Sequence, residues 1–234
     1  MPALPKVASP MAARCRRMLI VTALLLVPPL LTAADVSVIE YLEGDVQVES
    51  HGRRRIADFG TTLSRGDLVI TGDDGVAIVR VSATSQIKLR ENTVVAIDDV
   101  AGGGSVHLRQ GGLFARAHRA ATGRGFRVTT PTVVAGVRGT DFFVAYGRTI
   151  EERPDLWLCV NSGSVEVLIP QTGDLTVVNE GEGVNILAGL RTTQPRFYPW
   201  TLELNWLFDP EEGDVRDATD LDGAYADLLD QDYD

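Results

Sequence analysis

Arginines and carboxylates are the groups in this 234-residue chain that are clustered closely enough to do chemistry. Arg109, Arg116, Arg119, Arg124 and Arg127 flank the pair Gly111-Gly112, and a guanidinium grips carboxylate or phosphate as a planar fork. Such a strip could meet an anionic envelope polymer or lipid head group, receive the chain's own acidic end, or stand as ordinary exposed arginines. From Asp209 to Asp234 there are eleven acidic residues against one basic residue, Arg216. That net charge of −10 equals the charge of the whole chain, so the rest is nearly balanced. A phosphate backbone would be repelled by this end, which argues against a nucleic-acid partner. Within the acidic end, an EF-hand loop with Gly223 at its sixth position would need acids at its first and twelfth. Ala218 and Leu229 stand there, and the template fails.

Catalytic patterns are missing. His51, His107 and His118 have no metal-ligand spacing, and no nucleophile elbow, paired-histidine zinc motif or phosphate loop occurs. Asp73-Asp74 and Asp98-Asp99 sit at turns, where solvation accounts for them. Arg65-Gly66-Asp67 runs directly into Leu68-Val69-Ile70 and reads as the turn before a strand. The chain is therefore expected to be no enzyme and to carry no cofactor and no metal.

The first residues look like a secretion signal. Arg14, Arg16 and Arg17 precede a 14-residue apolar run, Met18 to Leu31, broken by Pro28 and Pro29. Spanning a bilayer takes roughly 18 or more apolar residues, so this run suits a signal peptide with cleavage after Ala34. An uncleaved anchor is the rival reading. Cleavage would remove Cys15 and leave Cys159 alone, without a disulfide framework. Cys159 lies in the apolar run Leu156-Trp-Leu-Cys-Val160, as a buried small hydrophobe or, less simply, a reactive thiol.

Between Val36 and Leu190 the apolar residues alternate with period two. Val46 and Val48, Ile87 and Leu89, and Val165, Val167 and Ile169 each share one face of a strand. Glycine-rich breaks separate many short runs, as in an all-β sandwich, barrel or solenoid. Tyr41-Leu-Glu-Gly-Asp-Val-Gln-Val48 and Val160-Asn-Ser-Gly-Ser-Val-Glu-Val167 share one form, apolar-x-x-Gly-x-apolar-x-apolar. Leu108–Ala115 and Val178–Val184 are looser copies, which favours repeated strand–corner–strand units. After Leu190 the texture changes. Residues 191–208 are aromatic, with Trp200 and Trp206 placed either to cap an open sheet end or to dock a partner. Residues 209–234 are acidic and poor in large apolar groups, a composition of disorder or of a frayed helix at Ala224–Leu229.

One stretch carries a family resemblance. Thr130-Pro-Thr-Val-Val-Ala-Gly-Val-Arg-Gly-Thr-Asp-Phe142 resembles the FecR domain signature T-P-T-A-V-A-G-V-R-G-T-E/D-F, with Arg138 to Phe142 intact. From the residues alone, Gly136 and Gly139 mark a sharp corner, Arg138 could pair with nearby Asp141, and Phe142 would anchor the corner to a core. Loss of a buried Arg138 pair would cost on the order of 3 kcal/mol. The resemblance covers roughly residues 36–190 and implies an extracytoplasmic, β-solenoid-like or β-sandwich-like module. Family members relay a surface signal to a sigma factor through a membrane helix and a cytoplasmic anti-sigma segment, a pattern from which this chain departs. The expected organisation is a signal peptide (1–34), a FecR-like β domain (35–190), an aromatic cap and an acidic tail. The expected function is a periplasmic or secreted binding or scaffold module that contacts an envelope protein or cell-wall polymer. The alternative is the sensory component of a surface signalling system with a separate membrane partner. Thr130, Pro131, Gly136, Arg138, Gly139, Thr140, Asp141 and Phe142 are then structural motif residues, and Arg109, Arg116, Arg119, Trp200 and Trp206 interaction candidates.

Overall fold

The computed structural model describes residues 1–3, 36–119, 125–149 and 154–224. The expected signal peptide from residue 4 onward, with Cys15, then Arg124 and residues 225–234, lies outside the described residues. Strand dominates the compact unit Ala34–Asp234. The first strands are β1 (Ser37–Glu43), β2 (Val46–Ser50), β3 (Arg53–Ile56), β4 (Thr62–Leu63), β5 (Leu68–Thr71) and β6 (Val76–Ser82). Next come β7 (Ser85–Leu89), β8 (Val94–Asp99), β9 (Ser105–Ala117), β10 (Phe126–Thr129), β11 (Val134–Val137) and β12 (Thr140–Thr149). The last are β13 (Pro154–Ser162), β14 (Ser164–Ile169), β15 (Asp174–Asn179), β16 (Glu182–Leu187), β17 (Arg191–Thr192) and β18 (Arg196–Phe197), followed by the single-turn helix α1 (Trp200–Glu203).

Two sheets run side by side through the sequence. Sheet A is ordered β4-β1-β6-β7-β9-β12-β13-β16, with β17 and β18 beyond β16. Sheet B is ordered β3-β2-β5-β8-β9-β10-β11-β14-β15, antiparallel except for β9 with β10. Strand β9 belongs to both, its first half pairing in sheet B and its second in sheet A, with the change at Gly111-Gly112. The fold is all-β, as the alternation requires.

The repeated glycine unit is the crossover between sheets. Gly44 takes the chain from β1 to β2 and Gly163 from β13 to β14, both at positive φ (70° and 83°). At Gly163 a Cβ would stand 2.5 Å from the Gly139 carbonyl oxygen, so this corner stacks directly on the signature corner and no side chain fits.

One apolar cluster fills the space between the sheets. Ile39, Val79, Leu113, Phe142 and Leu158 reach it from sheet A, and Val48, Val69, Val106, Val128 and Val165 from sheet B. A second cluster lies on the outer face of sheet A. Ile78, Phe114, Phe143, Trp157 and Cys159 there are covered by Tyr198, Leu204, Phe208, Val215 and Ala224. Sheet A is thus buried on both faces, and β13 reads as a continuous apolar run for that reason. Its rings interlock: Phe114 and Phe143 are 4.7 Å apart between centroids, and Trp206 meets Phe114 edge-on at 5.2 Å.

Two expectations are corrected. The aromatic segment lies across the outer face of sheet A, because that face is itself apolar, where a capped sheet end was expected. The acidic segment is ordered over 209–224: Val215 and Ala224 are buried in the second cluster, and Asp217 is 5% exposed. Disorder was inferred from composition, but a few apolar residues and one buried carboxylate hold this segment to the sheet.

Candidate binding groove and the C-terminal strap

The signature occupies β11, the corner after it and the start of β12. Thr130 caps its entry: the Thr130 hydroxyl accepts from the Val133 amide at 3.0 Å, and the Thr130 amide donates to the Val133 carbonyl at 2.8 Å. Val133, Ala135, Val137 and Phe142 enter the central core. Thr140 is buried and donates to the Ser164 carbonyl at 2.9 Å, tying the corner to the start of β14. Asp141 receives the Arg116 side chain at 3.1 Å, since β12 and β9 place those residues directly opposite each other. The expected Arg138–Asp141 pair does not form. Arg138 is exposed and makes no ion pair or hydrogen bond among the described residues. The pair through which it was expected to stabilise the corner is therefore absent, Asp141 being held by Arg116.

Arg138 instead lines a groove of about 330 Å³ on the outer side of sheet B, with Gly125, Phe126, Arg127, Gly136, Val137, Ser164 and Glu166. Register explains it. Arg127, Gly136 and Glu166 form one cross-strand row over β10, β11 and β14. The missing side chain at Gly136 leaves a slot between a guanidinium and a carboxylate. A Cβ there would meet nothing nearer than the Glu166 carbonyl oxygen at 4.0 Å, so backbone crowding is no reason for glycine. The slot offers two guanidinium groups without an ion pair among the described residues, Arg127 and Arg138, to a carboxylate or extended peptide, with Glu166 opposite.

The four described arginines of the group, Arg109, Arg116, Arg119 and Arg127, do not form one strip. Strand β9 changes sheets at Gly111-Gly112, so Arg109 faces out from sheet B while Arg116 faces out from sheet A, and Arg119 lies against Gly139. Arg127 lies on the groove. Asp67 of the Arg65-Gly66-Asp67 tripeptide is buried and accepts from the Ser64 amide at 2.8 Å, closing a turn. Trp200 and Trp206 are partly buried against the second cluster, and the Trp206 indole donates to the Thr201 carbonyl at 2.8 Å.

Lys88 and Arg90, which alternate with the inward-facing Ile87 and Leu89, lie on the covered outer face of sheet A. Lys88 is 1% exposed and donates to the carbonyls of Asn205 (2.6 Å) and Leu207 (2.8 Å), with its ammonium 4.4 Å from the Phe114 ring centroid. Burial, aided by Arg116 and Arg90 and opposed by Asp217, pushes its pKa down to about 8. Arg90 is 6% exposed, stands 3.2 Å from Asp217 and donates to the Thr219 carbonyl at 3.0 Å. Arg116 donates to the Trp206 carbonyl and lies over the Phe208 ring. Arg216 reaches back to Glu43 and the Asp74 carbonyl. Residues 205–219 thus form a strap drawn onto sheet A by cations of β7, β9 and the loop after β7.

Comparison with known proteins follows this geometry. Residues 67–166 match the model of the family described as FecR protein. Two crystal structures of a candidate anti-sigma factor from Parabacteroides distasonis are similar at 16% identity and a TM-score of 0.46. Each match covers 56% of this chain and 59% of that one, under two thirds of its length. No curated protein matches the chain. The signature corner, the sheet-crossing strand and the groove from Gly125 to Glu166 all fall inside the stretch, residues 67–166, that matches the FecR protein family.

Proposed function

We propose that the chain is a non-enzymatic, envelope-associated component of a cell-surface signalling system. It is built as a β-solenoid-like stack that binds a separate envelope partner through the Arg138 groove. One observation carries this reading: of the two charged side chains of the signature, Asp141 holds Arg116, while Arg138 makes no ion pair or hydrogen bond among the described residues. Thr130 caps, Thr140 ties the corner and Asp141 holds Arg116, while Arg138 points to solvent beside Arg127 and the slot over Gly136. A guanidinium kept free at a rigid corner suits recognition of a carboxylate on an extended partner segment. The FecR family match supports the signalling setting.

The test is site-specific photo-cross-linking in the envelope, with the probe placed at position 138 or, as a control on the same sheet, at position 109. The expected result is one protein cross-linked from 138 and not from 109. That product should disappear when Gly136→Leu fills the slot, with the melting temperature unchanged. Equal cross-linking from both positions, or a product indifferent to Gly136→Leu, would overturn the reading. Cross-linking to glycan instead would favour a scaffold on a cell-wall polymer.

A further inference from the structure

Both sheets end on open edges, and the two ends of the stack are chemically unlike. Sheet B begins with β3, which among the described residues pairs with β2 alone and whose four residues, Arg53, Arg54, Arg55 and Ile56, are all exposed. Arg54 meets Glu49 at 3.1 Å, while Arg53 and Arg55 have no ion pair among the described residues. Sheet B finishes with β15, which among the described residues pairs with β14 alone. From 164 to 190 the chain holds Glu166, Asp174, Glu180 and Glu182 and no basic residue. The β3 edge of sheet B is therefore basic and its β15 edge acidic, with Arg191 and Arg196 set apart on β17 and β18 of sheet A.

Apolar groups follow the same division. Ile56 is 76% exposed and Phe59 79% at the first end, and Leu175 is 61%, Val177 47% and Phe197 62% exposed at the last. Register puts Leu175 and Val177 on the outer face of sheet B beside Leu168 and Glu166, and Ile56 on that same face beside Gln47. Phe59 and Phe197 lie at the matching two ends of sheet A, before β4 and on β18. An unprotected edge with exposed apolar side chains is a template for another strand.

We propose that copies of this chain join end to end, the β3 edge of one pairing with the β15 edge of the next. A second β3 edge would face three arginines with three arginines, and a second β15 edge would oppose carboxylates, so like-with-like contacts are disfavoured. The mixed contact sets Arg53 and Arg55 near Asp174 and covers Ile56 with Leu175 or Val177. Because it uses two different surfaces, each addition leaves both kinds of edge free for a further copy. This contact is separate from the Arg138 groove, which lies on inner strands of the stack, and either proposal can fail without the other.

Sedimentation velocity of the full chain over a range of concentrations and salt tests it. The expected result is a series of species that grows with concentration and collapses toward monomer as salt screens the ends. Arg53→Glu/Arg55→Glu should abolish growth, and Leu175→Lys/Val177→Lys should abolish it too. Mixed in equal amounts, these two variants should give a dimer and nothing larger, since each retains one good edge. A single species at every concentration, or dimers of either variant alone, would overturn the proposal. Should a variant not fold, hydrogen exchange of the wild type decides: amides of β3 and β15 must both gain protection with concentration. A gain at one edge only refutes the end-to-end contact.

Discussion

Arg138 and Lys88 show how little a residue's type says about its task until its neighbours are known. Arg138 sits in the intact part of the signature yet is exposed, and Arg138→Ala should change stability by no more than about 0.5 kcal/mol, read by denaturant unfolding. Lys88 sits in an ordinary alternating strand yet is buried beneath residues 205–207. Its lowered pKa predicts a pH effect with a definite sign. Between pH 8 and its ordinary value of 10.5, the unfolded chain holds a proton that the folded Lys88 has lost, so stability rises with pH. Cys159 acts oppositely above pH 9, because burial raises its pKa from 9.0 to about 12 and the unfolded thiol ionises first. Tyr41, also raised, adds to that loss above pH 10. The clean window is therefore pH 8 to 9, where unfolding measurements should show a gain of about 1 kcal/mol. Lys88→Met should flatten it, and an equal gain in that variant would rule Lys88 out as the source.

At the scale of the element, the strap is the unexpected part. Asp217→Ala removes one of the two carboxylates beside buried Arg90, leaving Glu91 at 2.8 Å, and should cost about 2 kcal/mol in unfolding experiments, above a surface pair. Truncation after Phe208 should cost more, since it also removes Val215; an unchanged melting temperature would contradict the strap. Strands such as β2 and β14 were legible because one face is wet and the other dry, which makes period two visible in Val46 and Val48 or in Val165 and Val167. The glycine corners were legible because positive φ at Gly44 and Gly163 is a local demand. The outer cluster was hidden because Phe114, Phe143 and Trp157 belong to strands with two dry faces, and the cover is supplied from 198–224, remote in sequence. Arg138 was matched with Asp141 by nearness along the chain, whereas cross-strand register gave Asp141 to Arg116. The slot at Gly136 was invisible for a similar reason: it exists only as a row across three strands.

Across the whole molecule, sheet neighbours are mostly near in sequence, so each sheet grows from its N-terminal to its C-terminal edge as the chain advances. An open sheet of this kind frays from its edges, where a strand has one neighbour. Hydrogen exchange on dilute protein should be fastest at β3 and β15 and slowest at β9 and β12, which are paired on both sides within the central core. Uniform exchange rates would mean that the sheets melt as one unit.

Cys159 gives the molecule its own clock. It is fully buried on sheet A beneath residues 198–224, and that burial suppresses its thiolate at neutral pH. A small disulfide reagent cannot reach it while residues 198–224, the strap and its flanks, lie on the sheet, so each labelling event at this position counts one lifting of that segment. Any partner that peels the strap away will write its arrival into a single sulfur atom.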